Sequence, residues 1–180
     1  VVDSGIRSTH PLFRLGQVVE GLDVHADDET NRLGTDDPSD GHGTHVAGTI
    51  GGAEQWRGTR VGVNPAAVLV PINIFGRHGC NLNDVLRGVE WIRDRQRRGP
   101  RQRFVVNLSI CAPAAQANGR LQALFTELKD LGGVVCVAAC NDGHSITERH
   151  LGIYHDVLTI SSVRKDRTTL SDFSGWDNVE

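Results

Sequence analysis

Two histidines and five glycines fall within the thirteen residues from Asp40 to Gly52. His42 has glycine on both sides, so neither neighbour carries a Cβ and another stretch of chain can approach the imidazole closely. Imidazole is the side chain best suited to taking and returning a proton near neutral pH. His45, Val46, Ala47, Thr49 and Ile50 are spaced for a tightly packed helix, which puts His42 in its first turn. The positive end of a helix disfavours an imidazolium, so a proton-accepting His42 calls for a carboxylate partner. Asp3 is the economical candidate. It ends the apolar run Val1-Val2, where a buried charge is costly unless hydrogen-bonded, and an imidazole N–H would meet that need. Asn141 follows another apolar run and supplies an amide of the kind that stabilises a developing oxyanion. An acid, a histidine and an amide donor at three strand ends are the supporting parts of an acyl-transfer site.

Each of these residues also has a plainer reading. Asp3-Ser4-Gly5 is an ordinary turn sequence, and Asn141 with Asp142-Gly143 could simply cap a turn. His45 lies one turn beyond His42 and reads as a packing residue. A zinc hydrolase using His42 and His45 is a third reading, but their i, i+3 spacing lacks the Glu of an HExxH helix. Metal analysis would decide it.

The elements that must position these residues follow from hydrophobic period and punctuation. Apolar runs predict strands at the start of the chain, at Ala66–Ile74, Phe104–Ile110, Val134–Ala139 and Val157–Val163, with a short alternating strand over Gln17–Val24. Ala26–Asp40 is acidic and without apolar period, which predicts a surface loop. After the glycine-histidine helix, Asn81 to Asp84 offer caps for a helix with Val85, Leu86, Val89 and Ile92 on one face. The arginine run 93–103 reads as the solvated end of that helix, although it could also dock an acidic pro-segment. Gln116–Leu131 is a further helix, stopped by Gly132-Gly133. Strands alternating with helices predict an α/β fold, a mostly parallel sheet with helices on both faces.

Bulk properties narrow the classes. The 180 residues suit one domain, and a formal charge of −3 argues against nucleic acid as a main partner. No apolar run reaches membrane-span length. Methionine is absent even from position 1, so the sequence reads as a piece of a longer chain. The four cysteines, Cys80, Cys111, Cys136 and Cys140, show no zinc spacing. Cys136 and Cys140, within one apolar run, read as buried free thiols rather than a disulfide framework.

Val2-Asp3-Ser4-Gly5-Ile6, His42 to Gly48, Asn107-Leu108-Ser109 and Ala138-Ala139-Cys140-Asn141 closely resemble the subtilisin-like serine proteases, the subtilases, and Ser171-Asp172-Phe173-Ser174 resembles them too. The match spans nearly the whole chain in the family's order. The resemblance implies a three-layer subtilisin-like fold cut short at its C-terminus, with residues 1–180 a partial catalytic domain of a serine endopeptidase. Within it, Asp3 would orient His42, His42 would act as general base and then general acid, and Asn141 would serve the oxyanion. Ser109, Ile110, Cys111 and Ala112 would pair with extended substrate, and Ala139 and Cys140 would line the pocket beside them. It further implies a peptide or protein substrate, a pro-segment as a possible partner, and an extracellular or secreted parent.

The family's nucleophile sits in a Gly-Thr-Ser-Met-Ala-like motif some tens of residues past the Ser-x-Phe-Ser stretch. Ser4, Ser109, Ser161 and Ser174 lie in no such motif, so these residues alone are expected to be inactive. Cys111-Ala112 and Cys140 replace glycines that usually line the primary pocket, which leaves open a smaller pocket, a thiol-sensitive enzyme or a non-catalytic homologue binding extended peptides. Leu12-Phe13 stands where the family's tight calcium site has an aspartate, and Glu54-Gln55-Trp56-Arg57 replaces its Asn-rich loop. No cofactor is expected in this stretch, with calcium open elsewhere in the parent. The missing remainder is expected to leave apolar surface bare and the piece poorly folded.

Overall fold

The computed structural model describes residues 1–26, 41–53, 55–56, 58–99, 103–111, 119–146 and 151–176. The chain divides into two compact units, Val1–Gly88 and Val89–Glu180. The expected acidic loop lies, from residue 27 to 40, outside the described residues, as do Glu54, Arg57 and Ala112.

The first unit is built on a parallel sheet. Strand β1 (Val2–Asp3) and strand β2 (Leu22–Asp23) flank β5 (Ile72–Asn73), with Ile72 in register with both Val2 and Leu22. A small antiparallel pair, β3 (Gln55–Trp56) and β4 (Thr59–Arg60), lies between them in sequence. The expected strands over Gln17–Val24 and Ala66–Ile74 are thus shorter than their apolar runs. Pro71 has no N–H to give to a ladder, so the pairing breaks into a bridge at Val18 and Leu69 and the strand pair further on.

Helix α1 (His42–Gly51) buries Ala47 in a cluster with Ile6, Phe13 and Leu69. Its far end is held by a buried glutamine. Gln17 Nε2 donates to the carbonyls of Gly51 at 2.5 Å, Ala67 at 3.2 Å and Pro65 at 3.3 Å, and its Oε1 accepts the Arg14 N–H. Helix α2 (Leu82–Arg98) contains the boundary between the units and buries the predicted stripe of Val85, Leu86, Val89 and Ile92.

In the second unit β6 (Val105–Leu108), β7 (Val134–Ala138) and β8 (Leu158–Ile160) form a parallel sheet in that order. Helix α3 (Gly119–Asp130) buries Leu121, Leu124, Phe125 and Leu128, and packs on β7. The stop is the one foreseen. Gly132 turns left-handed at φ +83°, and the Gly133 and Gly132 N–H groups close back on the Leu128 and Lys129 carbonyls. Buried Gln96 of α2 adds a bond from Nε2 to the Leu131 carbonyl at 2.8 Å. The basic end of α2 is less solvated than its composition suggests, because Arg93 pairs with Glu127 at 2.8 Å and Arg97 joins the same carboxylate.

The cysteine reading needs correcting. Cys140 is no free thiol; it forms a disulfide with Cys111, across a Cα–Cα distance of 5.5 Å that suits such a bond. Cys80 and Cys136 are free. Twenty-nine residues separate the bonded pair, and no local spacing announces a partner that folding brings across a sheet.

Candidate active site

Asp3 is fully buried at the end of β1, where the chain leaves the sheet. A carboxylate there survives as an ion only if donors meet it. One oxygen meets two: Oδ1 accepts the Ser4 N–H at 2.8 Å and lies 2.7 Å from His42 Nδ1. The other, Oδ2, is buried with no hydrogen-bond partner among the described residues. With Asp3 ionised, the Nδ1 hydrogen points to the carboxylate and the basic lone pair is left on Nε2. The His42 side chain is 49% exposed, so the pair combines a buried acid with a solvent-reached base.

His42 is the first residue of α1, as its glycine-flanked spacing predicts. The helix starts from Gly41 in the left-handed conformation at φ +65°, with no side-chain cap and no acid in its first turn. Other bonds fasten this end instead. Ser4 Oγ accepts the Gly43 N–H at 3.0 Å, and Thr44 Oγ1 accepts the Arg7 N–H at 2.9 Å. Between them, a Cβ at Gly43 would overlap the Gly5 carbonyl, so only glycine lets α1 approach the turn after β1 this closely. Ser4 and Thr44 are structural supports of this helix end that pattern reading passed over; their hydroxyls beside the acid and the histidine were the available signal. His45 sits exposed on α1. Among the described residues, no group of three or more His, Cys, Asp and Glu is arranged to hold a metal ion.

Cys80 is the one cysteine of the first unit. Burial, with the charges of Asp84 and Asp3 adding to it, pushes its thiol above the ordinary range. It stays a thiol at neutral pH and is a poor nucleophile.

The remaining predicted residues belong to the second unit. β6 ends at Leu108; within it Asn107 Nδ2 donates to Ser109 Oγ at 2.9 Å, and beyond it Ile110 is buried. Cys111 is exposed, and Ala112 lies outside the described residues. Past the end of β7, Ala139 is buried and its N–H reaches the Ile160 carbonyl at 2.9 Å. Cys140 takes φ +67°, and Asn141 follows it, exposed. The structure therefore brings Asp3 to His42, and Cys111 to Cys140. The two pocket cysteines expected as thiols are one cystine.

The profile of the subtilase family, peptidase S8, matches residues 1–180. A subtilisin-like protease of Coccidioides posadasii (strain C735) is 31% identical over 180 residues, covering 99% of this chain and 41% of the relative. Proteinase T of Parengyodontium album is 28% identical over 181 residues, covering 99% of this chain and 56% of the relative. The chain thus spans about half or less of the length of these relatives. Among solved structures, a psychrophilic protease designated S41 superposes with a TM-score of 0.77 at 22% identity, over 97% of this chain and 57% of that one. A structure of Sphericase gives 0.76 at 19% identity, over 97% of this chain and 58% of that one. These likenesses establish the expected α/β fold. Profile and fold agree with the paired acid and histidine: the chain belongs to the subtilase family.

Proposed function

We propose that these residues form part of the catalytic domain of a serine-type endopeptidase, in which Asp3 and His42 are two members of an Asp-His-Ser triad. The single observation behind the reading is the 2.7 Å contact between buried Asp3 and His42 Nδ1. The carboxylate holds the ring with Nε2 unprotonated, ready to take the proton of a serine hydroxyl as it attacks the scissile carbonyl. The imidazolium then forms against Asp3 and gives its proton to the leaving amine. A water, deprotonated in turn by His42, releases the acyl group. Asn141 donates to the oxyanion formed at each addition. Substrate lies extended along Ser109 to Ala112, with Ala139 and Cys140 beside its first side chain.

The serine is proposed to lie in the parent chain past residue 180, because none of Ser4, Ser109, Ser161 and Ser174 is in a nucleophile motif. The 180-residue polypeptide alone is accordingly inactive. The side chains of Leu12 and Phe13 carry no oxygen where the family has an aspartate, and Phe13 is part of the apolar cluster under α1, so the family's tight calcium site is not proposed here. A secreted parent fits a cystine among the four cysteines. A pro-segment remains a proposed partner, carried by the family resemblance alone.

The test is to read the parent frame past Glu180 and then treat the full protein with a serine-directed phosphonate. Stoichiometric labelling that disappears in His42→Ala supports the triad. A frame with the nucleophile replaced, or a full protein that neither labels nor hydrolyses peptides, would leave a subtilase-fold protein that binds extended peptides.

A further inference from the structure

The Cys111–Cys140 disulfide takes no part in the proton transfers above, yet its place is specific. The ladder between β6 and β7 ends with Leu108 opposite Val137, and the disulfide joins the two segments again just beyond. Cys140 directly precedes Asn141 and holds φ +67°, a conformation that a residue with a Cβ adopts at a cost and keeps only when its surroundings insist. Its backbone is held on one side by the Gly175 N–H on the Cys140 carbonyl at 3.1 Å, and the preceding Ala139 N–H is held by Ile160. The disulfide is the tie that grips Cys140 through its side chain.

We propose that the Cys111–Cys140 disulfide is a positioning element for Asn141, holding the left-handed turn from which its amide serves the oxyanion, and that a thiol reductant slows the chemical step by opening it. This rests on the peptidase reading given above. Cys111 is the exposed half, so a dithiol's thiolate attacks its Sγ; the S–S bond breaks and Cys140 leaves as a thiolate. The reductant's second thiolate then attacks the reductant sulfur of the mixed disulfide, that S–S bond breaks, and Cys111 leaves as a thiolate. Two electrons pass to the cystine, protons from the dithiol complete both thiols, and the reductant leaves oxidised. β7 keeps its pairing with β8, and Ala139 and Cys140 keep their backbone bonds, so opening frees the turn without dismantling the sheet.

The experiment uses the full-length protein in oxidised form and after equilibration with dithiothreitol. Differential alkylation with mass mapping reads the state of Cys111 and Cys140, and phosphonate titration counts competent sites. Reduction is expected to lower kcat per competent site about tenfold or more while KM stays within about threefold, since an oxyanion donor acts mainly in the transition state. Oxidised glutathione restores kcat. Cys111→Ser/Cys140→Ser starts low and ignores reductant, whereas Cys80→Ala/Cys136→Ala responds like the wild type. A disulfide that served stability alone would reduce the number of competent sites and leave kcat per site unchanged. That result, or mapping that finds both thiols free in untreated protein, overturns the proposal; the wild-type arm decides even if the double variant fails to fold. Absence of both hydrolysis and labelling in either redox state, with the bond mapped as closed, sinks the peptidase reading and the positioning role with it.

Discussion

Asp3 places two donors on one carboxylate oxygen and leaves the other buried without a partner among the described residues. That imbalance leaves the acid's burial resting on the Ser4 N–H and His42 together. Asp3→Asn keeps the shape but can present an N–H to Nδ1, which favours the wrong tautomer. In the full-length protein kcat is expected to fall on the order of 10⁴-fold with KM little changed, as steady-state kinetics would show. Ser4→Ala removes the acceptor of the Gly43 N–H. Chemical unfolding should find it destabilised by about 1–3 kcal/mol. At this scale the sequence was most legible. Burial cost and helix polarity made Asp3 the economical partner for His42, and the resemblance to the subtilases carried the assignment. Cys111 and Cys140 could not be paired, because their partnership depends on which strand ends lie side by side.

The fit of α1 against the turn after β1 rests on one missing methyl group. A Cβ at Gly43 would collide with the Gly5 carbonyl, whereas at Gly48 it would find the Leu12 Cδ1 at an ordinary 3.6 Å. Gly43→Ala is expected to cost about 1–3 kcal/mol as the helix is forced outward. Gly48→Ala should be neutral or gain up to about 1 kcal/mol of helix propensity. Melting temperatures of the two variants test the contrast. Asp166 sits exposed in a turn. Bonds from the Thr169 side chain and the Thr168 and Thr169 N–H groups lower its carboxyl from 3.8 to about 2. The folded state thus holds fewer protons than the unfolded chain between these values. The Asp166 contribution is therefore complete above about pH 4 and is lost as pH falls through about 2. Carbon-detected NMR titration should find the Asp166 midpoint there, and Asp166→Asn should remove this term from the acid limb. Elements were legible as types more than as lengths. The strand signals at Gln17–Val24 and Ala66–Ile74 were real, but a proline and the shortness of the shared ladder trimmed both.

Across the second unit's sheet, exposure follows register. Val105 faces beside Val134, while Leu158 and Ile160 sit opposite Cys136 and Ala138, and all four large residues are open to solvent. Val106, Leu108, Val135 and Val137, at the alternate positions, are buried, and α3 packs on β7. An exposed apolar face of this kind promotes association. The 180-residue polypeptide is therefore expected to bind an apolar dye and to sediment as more than a monomer at high concentration. Leu158→Lys/Ile160→Lys should weaken both; a dye-silent, monomeric wild type would refute this.

Gln17 fastens the far end of the helix that begins with His42, and it does so with an amide. Having no charge, that clamp does not titrate, is not weakened by salt as an ion pair would be, and offers a chelator nothing to remove. It therefore adds no inflection of its own to a pH–rate curve. If the full protein loses activity as acid is added, this joint is the wrong place to look.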